Sequence, residues 1–354
     1  MTIDDLDTPA LLVDLDVMER NLSTMADYAR AHGLRLRPHT KTHKSIALAK
    51  RQLALGAVGL TVAKPGEAEV LVEAGPSELL VAYPTVGERK LRRLMEVARR
   101  TRLVMSLDSL EVAEGLSRAA SQADVRVGVL IETDVGLHRV GVPPADVDAL
   151  AAAVERLPGL EWDGIAFYPG HIKSLDREGF DQIARLGHTV GELAHRLKPR
   201  IVSGGSTPTW AQSHEIPGMN EIRPGTYIFN DRNSVAIGSC EREDCAASIL
   251  VTVVSTAIAG QAIIDGGSKT FSSDRLVSGG GGHGEIAEWP GAVFTKMNEE
   301  HGFVKVPENP KVGDRVHVVP NHICVAVNLQ ERIYGVRGRT VEEIWTVDAR
   351  AKLQ

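Results

Sequence analysis

The sequence predicts an α/β protein in which a TIM-type (β/α)8 barrel is followed by an all-β domain. Two observations carry this expectation: strand and helix patterns alternate to about residue 235, and the rhythm changes beyond residue 245. In the first stretch, short apolar runs rich in β-branched residues fall at 10–13, 34–36, 58–62, 79–82, 103–105, 125–131, 164–168 and 200–202. Between them, segments such as 17–32, 88–100 and 176–197 repeat apolar residues at the helical period. Strands alternating with helices form right-handed βαβ units around a parallel sheet buried on both faces. Roughly eight such pairs fit a closed barrel better than an open sheet. Periodicity does not report closure, so a doubly wound sheet stays open as an alternative.

Beyond residue 245, strand-like runs at 248–254, 261–264, 303–306, 315–319, 332–336 and 344–347 are separated by Gly, Pro, Asn and Asp. That is the pattern of a compact all-β domain. The expected division is a barrel domain over 1–240 and a β domain over 241–354, with about the first ten residues able to pack with the latter.

The formal charge of −6 disfavours a nucleic-acid or anionic-membrane surface. No apolar run approaches the ~18–20 residues of a spanning helix. The acidic start, Met1-Thr2-Ile3-Asp4-Asp5, does not resemble a secretory signal. The expectation is a cytoplasmic protein with a small-molecule substrate and neither a membrane nor a nucleic-acid partner. Three cysteines are too few for a disulfide framework, and Cys240 and Cys245 read as reduced thiols.

The run Arg37-Pro38-His39-Thr40-Lys41-Thr42-His43-Lys44 follows the second predicted strand, where barrel enzymes place functional residues. Pro38 keeps Arg37 extended. Burial and positive charge from Arg37, His43 and Lys44 would favour the neutral amine that attacks an aldehyde. Local composition alone favours a solvated basic turn. After the 200–202 run, Ser203-Gly204-Gly205-Ser206-Thr207 offers glycines that let N–H groups approach an anion, with two hydroxyls beside them. It is not the dinucleotide fingerprint. The run Gly279-Gly280-Gly281-Gly282 has no following helix and reads as a loop. His322-Ile323-Cys324 reads as part of a strand, in which residues i and i+2 face one side. An imidazole and a thiolate there suit a zinc-like ion, although a lone His-x-Cys is a weak signal.

Several motifs then resemble, in order, those of one family. They are Thr8-Pro9-Ala10-Leu11-Leu12-Val13-Asp14, the 37–44 run, Ala63-Lys64-Pro65-Gly66-Glu67-Ala68-Glu69, Asp134-Val135-Gly136-Leu137-His138-Arg139 and the 203–208 turn. Glu221-Ile222-Arg223-Pro224-Gly225-Thr226-Tyr227, Asp265-Gly266-Gly267 and Pro320-Asn321-His322-Ile323-Cys324 complete the series. The chain resembles the D-threonine aldolase and eukaryotic-type D-serine dehydratase family, pyridoxal-phosphate (PLP) enzymes on the alanine-racemase fold. The resemblance implies that Lys41 bonds PLP covalently and that Ser203, Gly204, Gly205, Ser206 and Thr207 hold its phosphate. It implies that His39, Arg139, Tyr168, Gly225 and Tyr227 line the cofactor and that His322 and Cys324 bind a divalent metal, zinc or manganese. His171 is a candidate acid/base. The implied activity is metal-assisted cleavage of D-β-hydroxy-α-amino acids, with D-threonine aldolase placed first. A D-serine or D-threo-3-hydroxyaspartate dehydratase comes second, and a racemase or non-catalytic PLP carrier is more distant. A homodimer is implied as well.

Overall fold

The computed structural model describes residues 1–306 and 310–354. The chain forms two compact units, one of Met1–Ser23 with Thr226–Arg350 and one of Thr24–Gly225 with Ala351–Gln354.

The larger unit is the barrel. Its strands are β2 (Arg35–Leu36), β3 (Leu60–Val62), β4 (Glu78–Val81), β5 (Arg102–Leu107), β6 (Val127–Glu132), β7 (Leu160–Ala166), β8 (Ile201–Gly204) and β9 (Glu221–Ile222). They pair in parallel in the order β2-β9-β8-β7-β6-β5-β4-β3. The two ends of this sheet meet. The Val58 N–H donates to the Leu36 carbonyl at 2.9 Å and the Thr61 N–H to the Pro38 carbonyl at 2.9 Å, with His39 bridging Thr61. All six residues of β6 are buried, as expected of a parallel strand covered on both faces. The covering helices are α2 (Ile46–Ala54), α3 (Pro65–Leu71), α4 (Glu88–Ala98), α5 (Leu110–Ala123), α6 (Val147–Val154) and α7 (Arg177–Leu197). In α7, Ile183, Leu186, Val190 and Leu193 recur at helical spacing and form the buried stripe. Asp176 caps its start by accepting the Gly179 N–H, and Lys198 ends it in the left-handed region.

The barrel is charged at the N-terminal end of its strands. Arg37, 1% exposed, crosses inside the sheet to Glu221 at 2.9 Å and to Glu78, where Gly59 leaves the room a side chain would fill. Asp163 is held there by Arg102 at 2.8 Å and by Arg200 at 2.6 Å, with Gly128 leaving it space.

The other unit is built on β1 (Ala10–Asp14), β10 (Ala247–Ser255), β11 (Gln261–Ile264), β12 (Gly284–Ile286), β13 (Val293–Met297), β14 (Gly302–Lys305), β15 (Arg315–Pro320), β16 (Arg332–Arg337) and β17 (Thr340–Thr346). The main path is β13-β14-β11-β10-β1-β16-β17, and β15 joins β10 to β12. Three short helices accompany them: α8 (Arg232–Ile237), α9 (Ser268–Phe271) and α10 (Ile323–Leu329). Helix α1 (Leu15–Ala31) follows β1 and runs across the division between the units.

Two features depart from the sequence expectation. The 10–13 run is not a barrel strand: β1 pairs antiparallel with β10 and parallel with β16. The eighth barrel strand is instead β9, whose two residues are too few to show any periodicity. By contacts, the β unit takes in residues up to Ser23 and from Thr226. Hydrogen bonds hold these segments to it. Within the β unit, Asn21 donates to the Ile228 and Asp244 carbonyls, and the Asn233 N–H donates to the Asn321 carbonyl. Among the described residues, no helix is long and apolar enough to cross a membrane.

Candidate cofactor and metal site

The turn that carries Lys41 is fixed from several sides. After β2, the His39 N–H donates to the Pro224 carbonyl at 2.9 Å, and residues Thr40–Thr42 form one 3-10 turn. The Thr40 hydroxyl donates to the Thr61 carbonyl at 3.0 Å, and the Lys41 N–H to His39 Nδ1 at 3.4 Å. Lys44 follows in the left-handed region, and its ammonium pairs with buried Glu67 at 3.2 Å, whose other oxygen accepts the Ala63 N–H. Gly225 lies against this turn, where an added Cβ would sit 3.0 Å from the His39 carbonyl oxygen and 3.0 Å from the Thr42 hydroxyl.

The positive neighbours expected around Lys41 face elsewhere. Arg37 points into the barrel, Lys44 is paired with Glu67, and His43 is buried between Gln52 and the Ser45 N–H. Burial pushes the His43 imidazole down to about 4, so it is neutral at pH 7.

Two predicted residues converge on the ring of a third, Tyr168. The Lys41 ammonium lies 5.7 Å from the Tyr168 ring centroid, and the Arg139 guanidinium carbon lies 5.1 Å from it. Arg139 is aimed by the loop after β6. There Asp134 accepts the Gly136 and His138 N–H groups at 3.0 Å each and pairs with His138 Nδ1 at 2.5 Å. Gly170 gives the Tyr168 ring its space. His171, in the same loop as Tyr168, packs against Gly136 and borders a cavity of about 340 Å³ that also touches Asp134 and Arg185. Its Nδ1 is buried without a hydrogen-bond partner among the described residues. Burial lowers the imidazole pKa, against the pull of Asp134, which raises it.

Ser203 and Gly204 are the last residues of β8, and the turn begins at Gly205, which is in the left-handed region. Ser203 departs from its expected role: its hydroxyl donates to Glu221 at 2.7 Å, inside the barrel. The Ser206 hydroxyl instead meets that of Thr209 at 3.1 Å. Gly204 lies on the fully buried Phe167, and a Cβ there would stand 2.2 Å from the ring. Gly204→Ala is therefore expected to destabilise the barrel by about 1–3 kcal/mol and to displace the turn. Equilibrium unfolding checks this; unchanged stability would contradict the packing described. Tyr227 belongs to the other unit, in a 3-10 turn at Thr226–Ile228, and is 4% exposed.

In the β unit, His322 and Cys324 do not lie on a strand. Strand β15 ends at Pro320, His322 caps α10, and Cys324 is in its first turn. The two are brought together by helix geometry rather than by strand alternation. Asp231 reaches His322 Nδ1 at 3.1 Å, and the Thr226 hydroxyl lies 3.7 Å from the Cys324 sulfur. The Cys324 thiolate, against the opposing effect of burial, pushes the His322 imidazole up to about 11, with Asp231 adding to the rise. No cluster of three or more His, Cys, Asp or Glu side chains suited to a metal occurs among the described residues. Cys240 and Cys245 are free thiols, and their mutual hydrogen bond, followed by burial, raises the Cys240 pKa.

Sequence reasoning missed two residues. Arg223, just beyond β9, is buried, donates to the Phe167 carbonyl at 2.8 Å, and helps depress the His39 pKa, after burial and Lys41. Its place was not readable, because β9 is too short to show a period. Asp231 was hidden, because nothing in spacing joins it to residue 322.

Known proteins share this fold and much of its sequence. Residues 13–233 match the model of the alanine racemase N-terminal domain, and residues 246–336 match a putative serine dehydratase domain. D-threonine aldolase of an Arthrobacter species is 33% identical, over 98% of this chain and 93% of its own. D-threo-3-hydroxyaspartate dehydratase of a Delftia species is 34% identical, over 91% of this chain and 92% of its own. It has also been solved as a cysteine-to-alanine mutant in the metal-free form. The crystal structure of D-threonine aldolase from Filomicrobium marinum superposes with a TM-score of 0.95 at 34% identity, covering 100% of this chain and 98% of that one. Sequence and fold together define an enzyme of the alanine-racemase-like, PLP-dependent class. Within it, the chain belongs to the lyase family that contains D-threonine aldolases, 3-hydroxyaspartate aldolases and dehydratases, and D-serine dehydratases.

Proposed function

We propose that this chain is a PLP- and divalent-metal-dependent D-threonine aldolase, cleaving D-β-hydroxy-α-amino acids to glycine and an aldehyde as a homodimer. The barrel residues fit the cofactor. Lys41 stands over Tyr168 beside Arg139, Gly225 packs closely against the lysine turn, and Gly205, in the left-handed region, leads the chain into the Ser206 and Thr207 hydroxyls, which suit a phosphate. When bound through Lys41, PLP supplies an electron sink for the charge left on the substrate carbon. His322 and Cys324 fit a zinc or manganese ion, with Asp231 on Nδ1 leaving Nε2 as the donor. Such an ion lowers the pKa of a substrate hydroxyl.

The observation that carries the aldolase reading is His171. Retro-aldol cleavage begins with loss of the β-hydroxyl proton, and dehydration does not. His171 offers a neutral imidazole in the same loop as Tyr168. Its task is to take that proton, while Tyr168 and Arg139 keep the lysine end of the site in place.

Cys324 favours a second reading, dehydration, since a cysteine at this position is the form typical of the dehydratases. The Lys41 amine would then take the α-proton, and the products would be a keto acid and ammonia. Product analysis with D-threonine and D-serine, with and without added Zn²⁺ or Mn²⁺, separates the two. Glycine and acetaldehyde are expected from D-threonine; 2-oxobutyrate with ammonia would establish the dehydratase instead. A chelator is expected to abolish either activity. Full activity after metal removal would exclude both and leave a racemase-like enzyme.

A further inference from the structure

We propose that Asp231 is a positioning residue for the metal pair, holding the His322 ring so that Nε2 faces the ion beside the Cys324 thiolate. The inference rests on the reading of His322 and Cys324 as metal ligands. Asp231 is 1% exposed and uses both carboxylate oxygens. Oδ1 accepts the Ser234 N–H at 2.8 Å and the Ser234 hydroxyl at 2.9 Å, which is the N-cap of α8. Oδ2 accepts the Ile323 N–H at 3.1 Å and lies 3.1 Å from His322 Nδ1.

Capping explains only the first oxygen. Ser or Asn caps a helix about as well as Asp does, and neither buries a charge. What a carboxylate adds here is the second oxygen, on the imidazole. A carboxylate on one ring nitrogen of a ligating histidine fixes the tautomer and makes the other nitrogen a stronger donor.

The backbone places this carboxylate deliberately. Asn230 adopts φ +51, a left-handed conformation that Asn tolerates better than most residues, so the chain turns directly before Asp231. The segment is then fastened to the metal-pair turn on either side. The Asn233 N–H donates to the Asn321 carbonyl at 3.1 Å, and Arg232 donates to the Asn321 side chain at 2.5 Å. Asp231 and His322 therefore move as one body, and the Ile323 N–H bond sets the carboxylate height relative to the ring.

The test is zinc affinity of the PLP-loaded full-length protein, measured by competition with a chromophoric chelator. D231N is expected to raise the zinc Kd by about 10- to 100-fold while leaving the absorbance of bound PLP unchanged. S234A weakens the same helix cap at the other oxygen and is expected to leave the zinc Kd within about twofold. Zinc affinity of D231N equal to wild type, or an equal loss in S234A, overturns the proposal. A second measurement needs no variant: ¹⁵N-histidine NMR of the zinc-loaded wild type is expected to show His322 protonated at Nδ1 and coordinated at Nε2. Coordination through Nδ1 overturns the proposal. Failure of the ligand assignment looks different: wild-type zinc uptake that survives both H322A and C324A removes that reading, and this inference with it.

Discussion

Replacing Lys41 by alanine is expected to abolish the visible absorbance of lysine-bound PLP and to lower kcat/KM by on the order of 10⁴-fold or more. Three lysines lie close to the C-terminal ends of the first barrel strands, and the geometry separates them. Lys44 is buried in an ion pair with Glu67 at 3.2 Å, so releasing its amine would leave a buried carboxylate unpaired. The Lys64 ammonium lies 3.5 Å from the centroid of the Tyr83 ring. Lys41 alone of the three stands over Tyr168, the ring that Arg139 also covers. The proposed phosphate contacts at the 203–207 run do not involve Lys41, so K41A is expected to retain weak, non-covalent PLP binding. Borohydride reduction followed by peptide mass mapping checks the assignment. In the wild type the PLP mass is expected on the peptide containing Lys41, and finding it on Lys44 or Lys64 would refute the assignment. Far-UV circular dichroism should match the wild type, because the turn is held by Thr40, His39 and Lys44 rather than by the Lys41 side chain.

What sequence could reveal follows the range of each interaction. Strands β4 to β8 were legible because a parallel strand buried on both faces must be a nearly continuous apolar run. Strand β9 was not, since two residues carry no period, and the membership of β1 was not, since alternation says nothing about sheet partners. At the site, residue order placed Lys41, Arg139 and Tyr168 at strand ends, and the structure brings them to one ring. The surroundings of Lys41 were misjudged from local composition, because chain neighbours on a turn diverge in space. Arg37, His43 and Lys44 find partners 184, 9 and 23 residues away in Glu221, Gln52 and Glu67. His322 and Cys324 were paired for the wrong local reason, a strand in place of a helix start. Asp231, 91 residues from His322, had no local signature at all.

Arg37→Ala is expected to lower the stability of the protein by about 3–5 kcal/mol, far more than the loss of Lys41, although both lie in one eight-residue run. Arg37 is 1% exposed, and its charge serves two carboxylates, Glu221 at 2.9 Å and Glu78. Its Nε and Nη1 have no hydrogen-bond partner among the described residues, so Nη2 carries the compensation for burial. Removing it leaves Glu221, whose side chain is fully buried, with Ser203 and the more distant Arg35 at 3.3 Å. Burial raises the Glu221 pKa, but the charge and hydrogen bond of Arg37 together outweigh it, and the net shift is downward. Glu78 behaves alike. A carboxyl held below its unfolded value stabilises the fold above that value, near ~4.3, and the contribution is lost as pH falls through the folded pKa. Wild-type stability should therefore decline on acidification through this window, and R37A should show a flatter acid limb from a lower plateau. Urea unfolding across this pH range measures both. The double variant R37M/E221M is expected to recover much of the loss, since the cost lies in stranding one charge rather than in lacking the pair. An R37A protein within about 1 kcal/mol of wild type would refute this account of the barrel. The effect reaches the chemistry through the backbone: the Thr61 hydroxyl donates to the Arg37 carbonyl at 2.9 Å, and Thr61 also accepts from Thr40. The ion network at one end of the barrel thus holds the strand that presents Lys41 at the other.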